Sequence, residues 1–321
     1  VGPLGDQQIA MTEPLAFMNG NMVPQSQASL ALNDAGFVFG ATITDLCRTF
    51  GHRLYRWEDH LARFRAGCQG AYLGVAYSDE EITSRAEELV AHNAALIGAQ
   101  DDLALVLFAT PGPIGYYLGQ ATATGEQPTF GMHTFPLPFA RYRPWIEGGA
   151  VVATPGVRQV PDASVDPRIK QRSRMHWWLA EQEVRRDYPG AQAILLDGDG
   201  FVTETASSNF LLVNNGTILS PPMTTILGGI SLHVVGELCG RLGIPVEYRK
   251  ISLGECYAAD EALLTCTSYC IAGVRQINDH TLAWPGPMLR QLVEAWSREV
   301  GVNIHRQIVD SSSARAAPRE R

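Results

Sequence analysis

Three prolines fall within the eleven residues Thr134-Phe-Pro-Leu-Pro-Phe-Ala-Arg-Tyr-Arg-Pro144. Each fixes φ and withholds an N–H, so this stretch is expected to hold no regular element and to join two separately folded halves. Before it, residues 29–33 alternate apolar and polar as a strand does. Residues 56–73 carry Leu61, Phe64 and Cys68 at helical spacing, residues 80–96 read as a second helix, and residues 103–109 form a continuous apolar strand. After it, residues 150–154, 193–197, 210–213 and 261–265 read as strands. Residues 172–188 read as a helix with Met175, Trp178 and Leu179 on one face, and residues 231–242 as a helix ended by Gly243. Both halves therefore mix α and β. The expected division is a small domain at 13–133, a linker at 134–146 and a larger domain at 147–308, with polar, unpatterned and flexible ends at 1–12 and 309–321.

A chain of 321 residues can bury large cores without covalent staples. Hydrophobic residues make up 45% of it, yet no apolar run approaches the roughly 18 residues of a membrane span, so no membrane partner is expected. The net charge of −8 has the wrong sign for binding a phosphate backbone, which argues against nucleic acid. Cys47, Cys68, Cys239, Cys256, Cys266 and Cys270 form no C-x-x-C pair, and residues 1–11 show no basic and apolar leader. Free thiols in the cytoplasm are the expectation. No H-x-x-x-H pair, G-x-S-x-G elbow or strand-borne G-x-G-x-x-G is present, so neither metal, hydrolase triad nor nicotinamide is implied.

All but two of the 25 basic residues are arginine, and any chemistry needing a deprotonatable amine has only Lys170 and Lys250 to use. Lys170 precedes the tryptophan-bearing helix, where desolvation would free its amine as nucleophile or base. Glu204 stands just before a buried strand, where an ionised carboxylate needs a cationic partner. Leu227-Gly-Gly-Ile-Ser231 opens an amphipathic helix whose unpaired N–H groups make an anion cup, although taken alone the segment reads more readily as an ordinary capping turn. An imine-forming amine, a partner for a protonated ring nitrogen and a phosphate cup, in one domain, are what pyridoxal phosphate requires.

Six blocks carry a resemblance to a known family. They are Asn33-Asp34-Ala-Gly36 with Phe39-Gly40, Asp45 and Arg48; Trp57-Glu-Asp-His60-Leu-Ala-Arg63-Phe64; Ile169-Lys170; Val202-Thr-Glu204 with Ser208-Asn209-Phe210; Leu227-Gly-Gly-Ile-Ser231; and Ala259-Asp260-Glu261-Ala-Leu-Leu-Thr-Cys-Thr267. In this order they resemble the class IV (fold type IV) pyridoxal-phosphate enzymes, the family of branched-chain aminotransferase, D-amino-acid aminotransferase and aminodeoxychorismate lyase. The resemblance implies a mixed α/β (α+β) fold of two domains, a small α/β sandwich and a larger α/β pseudo-barrel, assembled as a homodimer. It implies an aminotransferase moving an amino group from an amino acid or amine to a 2-oxo acid through a Lys170 Schiff base. A lyase of the aminodeoxychorismate type and a catalytically silent cofactor-binding protein are the alternatives.

Residue by residue, the resemblance gives Lys170 the cofactor linkage and the moving proton, and Glu204 the pyridine nitrogen. Arg63, Gly229, Ile230, Ser231, Thr267 and Ser208 are brought to the cofactor. Arg48, Phe39, Thr267 and Ser268 are brought to the substrate, and Arg141 and Arg143 to a second carboxylate such as that of 2-oxoglutarate. Two departures bear on the substrate. Met175 stands where branched-chain members have a tyrosine, which disfavours that subgroup. Gly112-Pro-Ile-Gly-Tyr-Tyr-Leu118 contains no cation where D-amino-acid members carry an Arg-x-His carboxylate trap.

Overall fold

The computed structural model describes residues 13–119 and 128–311. The first half is built on an antiparallel sheet of β1 (Leu15–Met18), β2 (Asn21–Pro24), β3 (Ile43–Phe50), β4 (Arg53–Leu54), β5 (Leu103–Thr110) and β6 (Thr129–Pro136), in the order β2-β1-β6-β5-β3-β4. The short α1 (Ala35–Val38) precedes β3, and α2 (Trp57–Gly70) and α3 (Asp79–Ala94) pack on the sheet. The apolar positions of α2, Leu61, Phe64 and Cys68, meet β5 and β6 in one core. Ser78 starts α3 with a capping box: its hydroxyl accepts from Glu81 N–H at 3.2 Å while Glu81 accepts from Ser78 N–H at 2.7 Å.

The second half contains α4 (Phe139–Gly148), β7 (Ala150–Ala153), α5 (Met175–Asp187), β8 (Gln192–Leu196), β9 (Val202–Thr205), β10 (Asn209–Asn214), β11 (Thr217–Ser220), α6 (Ile230–Leu242), β12 (Val246–Tyr248), α7 (Leu253–Tyr257), β13 (Glu261–Cys266), β14 (Cys270–Ile277), β15 (His280–Thr281), α8 (Pro287–Val300) and α9 (Ile304–Asp310). Its strands run β12-β11-β10-β13-β14-β7-β8-β9, and β9 pairs back onto β10. That last pairing closes β10, β13, β14, β7, β8 and β9 into a ring, the expected pseudo-barrel. Strands buried on both sides explain the continuous apolar runs of β8 and β10. Gly243, left-handed at φ 69°, ends α6 as its position in the sequence suggests.

Four expectations are corrected. Residues 29–33 form no strand, and Leu32 is 82% exposed; alternation alone cannot supply a neighbouring strand to bond with. The proline-rich stretch is largely regular: Pro136 is the last residue of β6, Pro138 lies just before α4, and Pro144 sits inside that helix. A strand end and a helix start are places where a missing N–H costs little. In α5 the inward face is Trp177, Ala180 and Val184, whereas Met175 and Trp178 are 68% and 61% exposed, with Leu179 beside them. A helix so rich in apolar residues offers two apolar stripes, and periodicity cannot choose between them. Finally, α9 continues to Asp310, two residues into the segment expected to be flexible; residues 1–12 and 312–321 lie outside the described residues. Among the described residues no helix is long and apolar enough to cross a membrane.

Candidate active site

A cavity of about 390 Å³ opens between the two sheets, walled by Thr44, Leu46, Arg63 and Phe135 from the first and by the barrel's loops and strand ends from the second. Lys170, Glu204, Arg63, Gly229, Ile230, Ser231, Thr267, Ser268, Ser208 and Arg141 all line it. Residues more than 200 positions apart in sequence are thus brought to one place.

Lys170 belongs to an extended segment rather than to a helix start. Its carbonyl accepts from Thr44 N–H at 2.9 Å, and Gln171 bridges Ile43. Among the described residues its amine has no hydrogen-bond partner, and desolvation, then the neighbouring Arg63 charge, pulls its pKa down to about 8. Glu204, on β9, experiences the opposite effect of burial, which pushes its carboxyl up to about 7 against the opposing influence of Leu227 N–H. Leu227 N–H lies 3.2 and 3.3 Å from the two Glu204 oxygens, and Asn209 Nδ2 donates to Glu204 Oε2 at 3.0 Å. Among the described residues no cation forms an ion pair with this carboxylate.

Arg63 is set by Asp45. Its Nε and Nη2 donate to the two Asp45 oxygens at 2.7 and 2.8 Å, and Nη1 donates to Gly228 C=O at 3.0 Å. Asp45 is fully buried and also meets His60 Nδ1 at 2.7 Å; together the two partners hold its carboxyl well below the usual range despite burial. The fork joins α2 to the turn before α6. That helix has no side-chain cap, so its first N–H groups, at Ile230 and Ser231, are available to a ligand anion. Gly229 is required there, because a Cβ would stand 2.0 Å from Asn209 Oδ1. Ser208 Oγ is 2.5 Å from Tyr269 Oη, beneath the turn that carries Thr267 and Ser268.

Three residues assigned to the substrate lie elsewhere. Arg48 is 1% exposed: it stacks on Phe50 at 3.8 Å, donates to Gln307 Oε1 at 2.8 Å and to Ser268 C=O at 3.3 Å, and pairs with Asp102 at 3.6 Å. Its fork is consumed in joining the halves. Phe39 is exposed and does not line the cavity, and Arg143 pairs with Glu147 on the exposed side of α4 at 3.1 Å. Conversely, Arg172, Arg174, Tyr142 and His176 line the cavity without having been anticipated. The missed signal was the spacing of two between Lys170 and Arg172, which places both on one side of an extended chain.

The donor set suits pyridoxal phosphate: one unpaired amine with a lowered pKa, a part-buried carboxylate without an ion-pair partner among the described residues, and an uncapped helix start beside a fixed arginine. The family model described as Amino-transferase class IV matches residues 42–277. The D-alanine aminotransferase of Bacillus licheniformis is 26% identical over 287 residues, 88% of this chain and 95% of that protein. In fold the chain is similar to the branched-chain aminotransferase of Thermoproteus uzoniensis solved with norvaline, at 22% identity and a TM-score of 0.79 over 90% of this chain and 95% of that one. It is likewise similar to the branched-chain aminotransferase of T.th. in complex with N-(5'-phosphopyridoxyl)-L-glutamate, at 21% identity and a TM-score of 0.77 over the same shares.

Proposed function

This chain belongs to the class IV aminotransferase family, and from that premise we propose that it moves an amino group between an amino acid and a 2-oxo acid, with pyridoxal 5'-phosphate held by Lys170 in the cavity between its two sheets. The observation that carries the site assignment is the pairing of an unpartnered cavity amine at about 8 with a carboxyl at about 7 in one 390 Å³ space. When bound, the cofactor supplies an aldehyde that condenses with amines and a ring that withdraws electrons. Lys170, being substantially neutral near pH 8, serves as nucleophile and then takes and returns a proton at the substrate α-carbon. Glu204 would hold the ring nitrogen of the cofactor in its protonated form, in place of the ion-pair partner it lacks. Arg63 and the N–H groups of Ile230 and Ser231 would hold the phosphate, with the small side chains of Thr267 and Ser208 beside them. Ser268 and Arg141 face the substrate.

We take residues 13–133 and 147–308 as the two domains joined by 134–146; this is supported by the absence of any shared strand between the two sheets among the described residues. We also infer a homodimer. Leu32, Phe37, Phe39, Tyr116, Tyr117 and Met175 are all exposed. Their segments are tied together by Ile114 N–H to Asn33 C=O at 2.8 Å and Ser173 Oγ to Gly40 C=O at 2.9 Å. An apolar surface of this kind suits burial against a second copy. A cytoplasmic setting is supported by six unpaired cysteines.

The test is a panel of D- and L-amino acids against 2-oxo acids, read in both half-reactions. Transfer to an acceptor is expected; release of an oxo acid with no aminated product from any acceptor would favour elimination.

A further inference from the structure

Lys170 and Arg172 flank Gln171, which bridges Ile43 antiparallel, and Arg172 N–H donates to Thr42 C=O at 2.9 Å. In such an extended run, side chains two apart leave on the same side with Cα atoms roughly 6.5–7 Å apart. Both side chains line the cavity. Among the described residues the Arg172 guanidinium has no hydrogen bond and no ion pair, and its charge helps to lower the pKa of His133 and of Arg174. Arg174, by contrast, is occupied: it donates to Ala206 C=O and lies 5.8 Å over the Trp177 ring. The two acids that line the cavity are engaged elsewhere, Asp166 with Arg168 and Glu204 with Asn209 and Leu227 N–H, so a free guanidinium beside the reactive amine is complementary to an anion that arrives with the ligand. Amino acids and 2-oxo acids bring a carboxylate, which the planar fork binds through two parallel hydrogen bonds. The stretch 112–118 has no cation for that purpose.

We propose that Arg172 anchors a substrate carboxylate and so determines which acids the site accepts. This rests on the reading of the cavity as a transaminase site. The test uses holoenzyme of the wild type, Arg172→Gln, Arg172→Lys and Arg143→Gln, the last a surface control. Cofactor uptake is scored first by absorbance; its failure in the wild type speaks against the proposed function, while the anchor is still read by calorimetry. Binding of the unreactive acids butyrate and glutarate is then measured, with KM and kcat for 2-oxobutanoate and 2-oxoglutarate. Removing a charge-assisted pair predicts binding weakened and KM raised about 10- to 100-fold in Arg172→Gln, with kcat changed far less, Arg172→Lys in between, and the control unchanged. Loss with both acids assigns the anchor to the carboxylate next to the reacting carbon. Loss with the dicarboxylates alone assigns it to a side-chain carboxylate; either result supports the proposal. Unchanged affinity for all acids in folded, cofactor-loaded Arg172→Gln overturns it, as does a loss of cofactor uptake specific to that variant.

Discussion

Glu204 and Asn209 face each other where the barrel closes, and the Asn209 amide donates across that seam to the Glu204 carboxylate at 3.0 Å. The same Nδ2 donates to Leu227 C=O at 2.9 Å, and Leu227 N–H returns to Glu204. Glu204 and the turn that starts α6, both on the cavity wall, are therefore one hydrogen-bonded unit. Asn209→Ala leaves the part-buried Leu227 carbonyl and a Glu204 oxygen short of a donor, a cost of about 1 kcal/mol. We expect a lowered unfolding midpoint and a cofactor dissociation constant raised about tenfold. Unaltered affinity would mean that Glu204 and the turn are set independently.

Adjacent glycines in that turn should respond differently. A Cβ at Gly229 would fall 2.0 Å from Asn209 Oδ1, while one at Gly228 meets nothing nearer than Met223 Cε at 3.6 Å. Gly229→Ala must move either the asparagine or the helix start, and cofactor affinity is expected to fall at least tenfold, whereas Gly228→Ala should bind normally. Equilibrium titration of both variants with pyridoxal 5'-phosphate decides the matter; equal affinities would show that the turn is not the phosphate cup.

Glu204 makes the cofactor-free protein's stability depend on pH in a defined direction. Its carboxyl is raised from 4.5 to about 7 in the fold, so between these values the folded chain holds a proton that the unfolded chain has released. Stability from this group is complete below pH 4.5 and is lost as pH climbs through 7, by up to about 3 kcal/mol. Glu204→Gln should remove that slope and overtake the wild type at pH 8 when both lack cofactor. Denaturant midpoints at pH 5 and pH 8 measure it, and parallel slopes for the two proteins would contradict the assignment.

Arg48 is expected to matter for folding and not for substrate. Its guanidinium and Asp102 are each 1% exposed, and Asp102 also accepts from Thr49 Oγ1 at 2.7 Å and Gln307 Nε2 at 2.6 Å. Arg48→Ala takes the only ion-pair partner this acid has among the described residues, and removal of one member of a buried pair costs about 3–5 kcal/mol. Urea unfolding should register the loss, while the KM for the oxo acid in the protein that remains folded stays at its wild-type value. A raised KM would return Arg48 to the substrate.

Much of this site is legible in the sequence because its parts are local. Lys170 is one of only two lysines, Glu204 precedes a buried strand, and Leu227-Gly-Gly-Ile-Ser231 marks a helix start without reference to anything distant. Arg48 and Arg143 lie away from the cavity for the opposite reason: an arginine's partner, here Asp102 or Glu147, is chosen by tertiary packing that spacing does not encode. Arg172 is not legible in the sequence because the pattern around Lys170 reads as the front of a helix, where residues two apart diverge. The barrel's closure through Glu204 and Asn209 was equally invisible, since only the fold decides which two strands meet last.

The sharpest separation available is between the two lysines. Lys250 is half-exposed, bonded to Asp199 at 2.8 Å, and that partner raises its pKa, so its amine stays protonated and unreactive near neutrality. Lys170 is pulled down to about 8 and has no bond to break before it attacks. Borohydride reduction of the protein with pyridoxal 5'-phosphate should therefore label one peptide, the one containing Lys170, and labelling should rise with pH through about 8 as the free amine forms. Lys170→Ala is expected to abolish it and Lys250→Ala to leave it intact. Label recovered at Lys250 would remove the amine from the cavity chemistry, and with it the roles given to Glu204 and Arg63.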